Sequence, residues 1–393
     1  MRLIGRLGAR GRGGAMRRPV SGRRGVLPAL MVLLHVTAWT GPAAAGDAVR
    51  TVWRVISDNG ILVPAALDAG TLFAAGDSAA EAWTLAGDLV WRTTVQTPAH
   101  YRPRVSGGRV AVVGRAGLAV LDAASGRVLW EARPETAFGA PFLHDGRLFL
   151  GDGSDLAAFR AADGTPLWRH RVEGNAKVHY APSAVGGTLF LGAGDGRLVA
   201  LDPATGAVRW SVDRGGLWQY LRQMAATADG RVLVAGGYQD DLYGLTPHDG
   251  AILWRHDAGN FINSQRVAGG RVYFWSPTGW MEALDAHSGA RVWRTRTHRF
   301  GSDGRDDWGM VMAEPEADRA RLWVLDMAAT LHGLDLDTGA EVATVRLPFP
   351  ARPFVVPVGD GTDVIVGSLG GELARLHVPG PTGTRQDAPL SPN

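Results

Sequence analysis

Ala200-Leu201-Asp202-Pro203-Ala204-Thr205-Gly206-Ala207-Val208-Arg209-Trp210 is the stretch whose reading decides the fold. Leu201 ends a strand, Asp202 to Gly206 reverse the chain, and Val208 to Trp210 open the next strand. An aspartate at the start of such a turn accepts backbone N–H groups further on, and the glycine takes a positive φ that a Cβ would resist. Related stretches run from Leu121-Asp122 to Trp130, Phe159-Arg160 to Trp168, Leu245-Thr246 to Trp254, Leu284-Asp285 to Trp293 and Leu334-Asp335 to Ala343. A degenerate copy, Trp83 to Trp91, keeps only Gly87 of the turn. In each copy the glycine stands four residues before the tryptophan position.

The return-strand positions are Trp53, Trp91, Trp130, Trp168, Trp210, Trp254, Trp293 and Ala343, spaced by 38, 39, 38, 42, 44, 39 and 50 residues. That period fits the four-stranded blade of a β-propeller. Two further strands precede each turn. The second is a short apolar run without alternation, such as Val110-Ala111-Val112-Val113, Leu189-Phe190-Leu191 or Val364-Ile365-Val366. A strand buried on both faces reads this way. Gly107-Gly108, Asp145-Gly146, Gly186-Gly187 and Gly269-Gly270 supply hairpin chemistry before these runs. Val52-Trp53-Arg54-Val55 has no strands before it, and the strands between about Phe354 and Val378 have no tryptophan stretch after them. Pairing the two ends makes an eighth blade and leaves no open sheet edge at the closure. The expected fold is therefore all-β: an eight-bladed propeller of antiparallel blades, closed by the N-terminal strand on the C-terminal strands.

Composition narrows the chemistry. The chain of 393 residues contains no Cys, which excludes a disulfide framework, thiolate metal sites, Cys nucleophiles and c-type haem attachment. The formal charge of +3 comes from the start of the chain. Residues 1–45 hold eight of the 41 basic residues and no acid, so the remainder has 33 basic against 38 acidic side chains, a net of −5. That balance argues against nucleic acid as the partner.

Arg17, Arg18, Arg23 and Arg24, the apolar stretch Val26 to Ala38 and the small residues Ala43-Ala44-Ala45 follow the pattern of a secretory signal peptide. The apolar stretch is short for a span of about 20 residues, and no Cys is present to carry a lipid. The expected organisation is a signal peptide over 1–45, the propeller over 46–378 and a disordered tail over 379–393, with no stable membrane anchor after cleavage and a periplasmic or secreted location.

The Ala-x-Asp-x-x-Thr/Ser-Gly-x-x-x-Trp pattern resembles the tryptophan-docking motif of the pyrroloquinoline-quinone (PQQ) type eight-bladed propellers. That superfamily contains quinoprotein alcohol dehydrogenases and non-enzymatic members such as BamB, a scaffold of outer-membrane β-barrel assembly. The resemblance covers about Arg50 to Val378. It implies that Trp53, Trp91, Trp130, Trp168, Trp210, Trp254 and Trp293 pack between neighbouring blades. Ala343, Arg160 and Thr246 depart from the motif, so those joints are expected to be looser or differently filled.

The same resemblance implies, for an enzyme, a quinone, a Ca²⁺ or lanthanide held by oxygen ligands, a catalytic Asp and often a vicinal disulfide. This chain has no Cys for the disulfide and no haem segment, and it is shorter than such dehydrogenases. Asp303, Asp306 and Asp307 form an acidic cluster, better read as a solvated loop. Asp152, Ser154 and Asp155 could form a weak ion site, with a satisfied hairpin turn the preferred reading. No nucleophile elbow, zinc-protease, phosphate-loop or dinucleotide motif is present.

Large side chains concentrate instead in connections on one propeller face: Trp218, Tyr220 and Arg222; Asn260, Phe261, Asn263 and Gln265; Trp275 and Trp280; Phe300 and Trp308. Aromatic, arginine and amide side chains suit a protein interface, although such rings also seal gaps between blades. Trp218, Tyr220, Arg222, Asn263, Trp275, Trp280 and Trp308 are the partner-binding candidates. The expected function is an exported, monomeric, non-catalytic protein-binding scaffold, BamB-like, needing neither metal nor cofactor. The alternatives are a PQQ-dependent oxidoreductase, with PQQ and Ca²⁺ bound, and a carbohydrate- or small-ligand-binding propeller using its central channel. Mass spectrometry of the exported protein should find a mature chain beginning near Gly46; an intact leader would contradict the signal-peptide reading.

Overall fold

The computed structural model describes residues 49 to 379, apart from Leu62, Asp195, residues 215–222, 237–240, 259–263, Pro277, residues 298–313, Pro348, Asp360 and Leu369. The described strands form eight four-stranded antiparallel sheets, the blades of a β-propeller. Blades 1 to 7 occupy residues 66–94, 104–132, 142–171, 183–213, 223–257, 264–296 and 316–346. Blade 8 combines Ala351–Val358, Asp363–Ser368 and Glu372–His377 with the N-terminal strand Arg50–Ile56, which pairs with the last of these from Arg50↔His377 to Ile56↔Glu372. Among the described residues no helix is long and apolar enough to cross a membrane.

Position in the blade explains the burial of each strand. The first strands of neighbouring blades contact one another and form the inner ring around the channel. Second strands are enclosed on both faces: Val110 to Val113 and Leu189 to Leu191 are each fully buried. Fourth strands alternate, with Trp91 or Trp254 turned inward and Val90 or Leu253 left exposed. Antiparallel order fixes the two rims. Turns between first and second strands, and between third and fourth, emerge on one face. Second-to-third hairpins and the connections between blades emerge on the other, here called the connection face.

Each fourth-strand tryptophan reaches into the next blade. The indole N–H groups of Trp53, Trp91, Trp130, Trp168, Trp210, Trp254 and Trp293 donate to the carbonyls of Leu85, Ala123, Ala161, Pro203, Pro247, Ala286 and Leu336, at 2.7–3.1 Å. Each ring also lies against the turn glycine of that blade. A Cβ added to Gly126 would meet the Trp91 ring at 2.5 Å, and one on Gly206 would meet the Trp168 ring at 2.6 Å. These glycines also hold a positive φ, +70° at Gly126. Asp202 explains the turn that presents the glycine: its Oδ1 accepts the N–H groups of Ala204 and Thr205. The Arg209 guanidinium, followed by the Thr205 N–H, holds its pKa at about 2.

The departures from the repeat have physical explanations, and two of the joints are not loosened. In blade 3, where Arg160 replaces the turn Asp, Asp163 accepts the Thr165 N–H at 2.9 Å and Trp130 keeps its bond to Ala161. In blade 5, Thr246 accepts the His248 N–H, Asp249 accepts the Ala251 N–H, and Trp210 keeps its bond to Pro247. Ala343 is different. The turn a tryptophan there would meet belongs to blade 8, where the third and fourth strands come from opposite ends of the chain and no turn joins them. Val49 and Val378 pack in the same cluster as Ala343 and fill the joint. Arg321 donates to the Val378 carbonyl at 3.0 Å. Its counterpart in blade 6, Arg271, shares the Leu336 carbonyl with Trp293. At the closing blade the arginine bond remains and the tryptophan has nothing to grip.

Gly126→Ala and Gly108→Ala separate backbone strain from ring contact, because a Cβ at Gly108, also at positive φ, would meet nothing within 4 Å. Denaturant unfolding should show about 1–2 kcal/mol lost at Gly108 and a further 1–3 kcal/mol or so lost at Gly126 from overpacking. Equal losses would mean that the ring contact carries no energy. Ala343→Trp should lower stability by roughly 1–3 kcal/mol, and a rise in Tm would show that a receiving site exists.

Candidate functional site

Two regions of the connection face carry side chains beyond those the fold needs. The first contains Trp280, which opens the third strand of blade 6. Its half-buried ring lies 3.8 Å from the guanidinium carbon of Arg294 and 4.6 Å from that of Arg296. Arg294 also approaches Glu282, a buried carboxylate. Trp275 does not belong to this surface. The second strand of blade 6 continues to Ser276, so Trp275 is fully buried and donates to Thr297 Oγ1 at 2.9 Å. It is core, and the expectation that it meets a partner is corrected. Trp218, Tyr220, Arg222, Asn263 and Trp308 lie outside the described residues, as do Asn260, Phe261, Phe300, Asp303, Asp306 and Asp307. Asp152 is committed to structure: it accepts the N–H groups of Glu135 and Thr136 at 2.9 Å and pairs with Arg169. Asp155 pairs with Arg169 and Arg171.

The second region is the channel entrance, which the sequence reading missed. Ahead of blade 2 stand His100 and Tyr101; ahead of blade 4 stand His179 and Tyr180. Arg115 donates to His100 Nε2 at 3.0 Å, and the Tyr101 hydroxyl donates to the Phe138 carbonyl at 3.0 Å. Burial and then Arg115 lower the pKa of His100; burial, Lys177 and Arg115 lower that of His179. Both shifts favour neutral rings at pH 7 beside Arg115 and Lys177. The repeated His-Tyr before a first strand was a signal available in the sequence.

Inside the entrance, charged residues replace the usual inner-ring side chains. Arg104, Arg266 and Glu316 each pair with the third residue of their blade's second strand, where blades 1, 3 and 4 carry Ala66, Phe142 and Ser183. Arg102 bridges the channel from blade 2 to blade 7, with Nη1 2.7 Å from Glu316 Oε1. Arg266 of blade 6 reaches Glu316 Oε2 at 3.5 Å.

Two buried polar clusters elsewhere close on themselves. Glu81 accepts from Ser57, Trp83 and Arg92. His332 is bound to Glu341 at 2.6 Å and Asp326 at 3.4 Å. Metal-assisted quinone chemistry needs several oxygen ligands around one ion. Among the described residues no group of three or more His, Cys, Asp or Glu could hold a metal, and the channel carboxylate Glu316 already faces two arginines.

A family profile described as outer membrane protein assembly factor BamB matches residues 80–216 and 215–346, well over half of the chain. The chain belongs to this BamB family of PQQ-like propellers. BamB of Moranella endobia is 26% identical over 335 residues, covering 70% of this chain and 85% of that protein. The crystal structure of BamB from Moraxella catarrhalis superposes with a TM-score of 0.67 at 16% identity, covering 87% of this chain and all of that one. A quinohemoprotein alcohol dehydrogenase from Pseudomonas putida gives the same TM-score at 12% identity, over 88% of this chain and 78% of that one. At those identities the structural likeness shows the fold alone, and it is shared by a BamB and a dehydrogenase.

His332 gives this BamB-family chain a pH signature. Burial opposes its charged form, but hydrogen bonds to Asp326 and Glu341 outweigh burial and raise its pKa. The stability it adds is complete below the unfolded-state value of about 6.5 and is lost as pH rises through the higher folded-state value. Unfolding free energies measured from pH 5 to 9 should therefore fall more steeply for the native protein than for His332→Gln. Parallel curves would contradict the assignment.

Proposed function

We propose that this chain is an exported, monomeric, non-catalytic scaffold that docks a protein partner on its connection face, in keeping with a family described as outer membrane protein assembly factors. The family match over residues 80–346 is the observation that carries the reading. The seven tryptophan–glycine contacts are taken as the tryptophan-docking joints of that family. The leader over residues 1–45 and the tail over 379–393 complete the proposed organisation, with a periplasmic location. Trp280 is the described aromatic best suited to contact, because its ring is reachable and flanked by two arginines, a composition frequent in interface hot spots. The scaffold uses neither metal nor quinone; Trp218, Tyr220, Arg222, Asn263 and Trp308 are proposed to extend the same face.

A photo-crosslinking amino acid at position 280 tests this in the host cell. It should trap a discrete envelope protein, whereas the same group at Arg127, on the opposite face, should not. Trp280→Ala should weaken that complex by about 2 kcal/mol or more, as a hot spot does. Loss of the two cation–π contacts should cost the fold only about 1–2 kcal/mol. Crosslinking at neither position, with quinone-dependent dye reduction by the purified protein, would overturn the scaffold reading.

A further inference from the structure

Arg104 stands out in the channel entrance. Arg102 and Arg266 share Glu316, but among the described residues the Arg104 side chain has no hydrogen-bond or ion-pair partner. Solvent reaches its side chain, yet the surrounding blades displace enough water that burial, followed by Arg102, lowers its pKa. Glu314 and Glu316 act in the other direction, and Arg266 adds to the lowering. Arg266 has its own deficit, since its buried Nε has no hydrogen-bond partner. Arg115 and Lys177 add positive charge at the rim. Among the described residues, five cationic side chains thus stand at this entrance with two carboxylates, in a chain whose net charge beyond residue 45 is negative.

Gathering a third guanidinium beside the two that already share one carboxylate is unfavourable unless something compensates the charge. The planar guanidinium fork matches the two oxygens of a carboxylate or phosphate. The inner-ring position could have been filled as in blades 1, 3 and 4, by a small or apolar residue. We propose that the channel entrance holds the oxyanion group of a small solute, a carboxylate or phosphate, on Arg104, with Arg266 beside it and the basic rim drawing the anion in. This site does not depend on the protein-docking reading and faces the same side of the propeller.

Isothermal titration of the purified protein with inorganic phosphate and, separately, with citrate tests the proposal, both against chloride at matched ionic strength. At least one anion should bind saturably and raise the Tm. Binding of phosphate alone assigns a phosphate-bearing solute, and binding of citrate alone a carboxylate-bearing one. Arg104→Gln should weaken binding at least tenfold, and Arg104→Lys, which keeps the charge and loses the fork, several-fold. Arg127→Gln, on the far face, should bind as the native protein does. Without anion, Arg104→Gln should melt no lower than the native protein, because it removes repulsion. Absence of saturable binding by either anion would overturn the proposal, as would unchanged affinity in Arg104→Gln. A Tm lowered in anion-free buffer by both Arg104 substitutions would also overturn it, by marking the side chain as structural.

Discussion

A tryptophan ring pressed against a glycine of the neighbouring blade is the contact on which the ring of blades depends. It joins three requirements at one point. The glycine must turn the chain at positive φ and must leave room for the ring. The indole N–H must find a carbonyl on that same turn. Gly126 and Trp91 meet all three, and the geometry recurs at seven of the eight joints. Because each blade is held mainly by its neighbours, a repeated local contact becomes a global constraint that closes the chain on itself. The eighth joint shows the rule from the other side. The receiving turn is missing where the chain ends meet, and there the tryptophan is replaced by Ala343 while Arg321 holds the Val378 carbonyl.

Much of this was legible in the sequence because repetition amplifies a weak local signal. One Asp-x-x-x-Gly-x-x-x-Trp stretch describes a turn; its recurrence every 38 to 50 residues describes a ring. The closing blade followed from two unmatched ends. The reason for Ala343 was implicit in that closure, since a blade split between the termini offers no turn to grip. Trp275 was misplaced because its strand runs on through it to Ser276 instead of giving way to the connection, which carries the ring inside. At the channel entrance the repeated His-Tyr was legible, but the charged cluster inside it was not. Arg104, Arg266 and Glu316 are far apart in the chain, and nothing local marks them as inner-ring residues. Only the shared register shows that they occupy one level.

The connection face therefore has two parts with different chemistry. The outer part, at blade 6, presents an aromatic ring between arginines, suited to a protein surface. The inner part, around blades 2, 4, 6 and 7, presents a basic entrance with neutral histidines and tyrosines at its rim. The propeller itself accounts for neither. Ring closure requires the tryptophans, the glycines and the buried second strands, and it leaves connections and inner-ring positions free to vary. That freedom explains how one fold serves both a BamB and an alcohol dehydrogenase, and why function here must be argued from side chains.

The dependence of the fold on the tryptophan–glycine contact is tested most directly by a double-mutant cycle between Trp91→Ala and Gly126→Ala, read by denaturant unfolding. If the ring is what the new methyl strikes, Gly126→Ala should cost about 1–3 kcal/mol less in the Trp91→Ala background than in the native protein. The remaining cost would be the strain of an alanine at positive φ. Additive losses, with Gly126→Ala equally damaging whether or not the ring is present, would contradict the account.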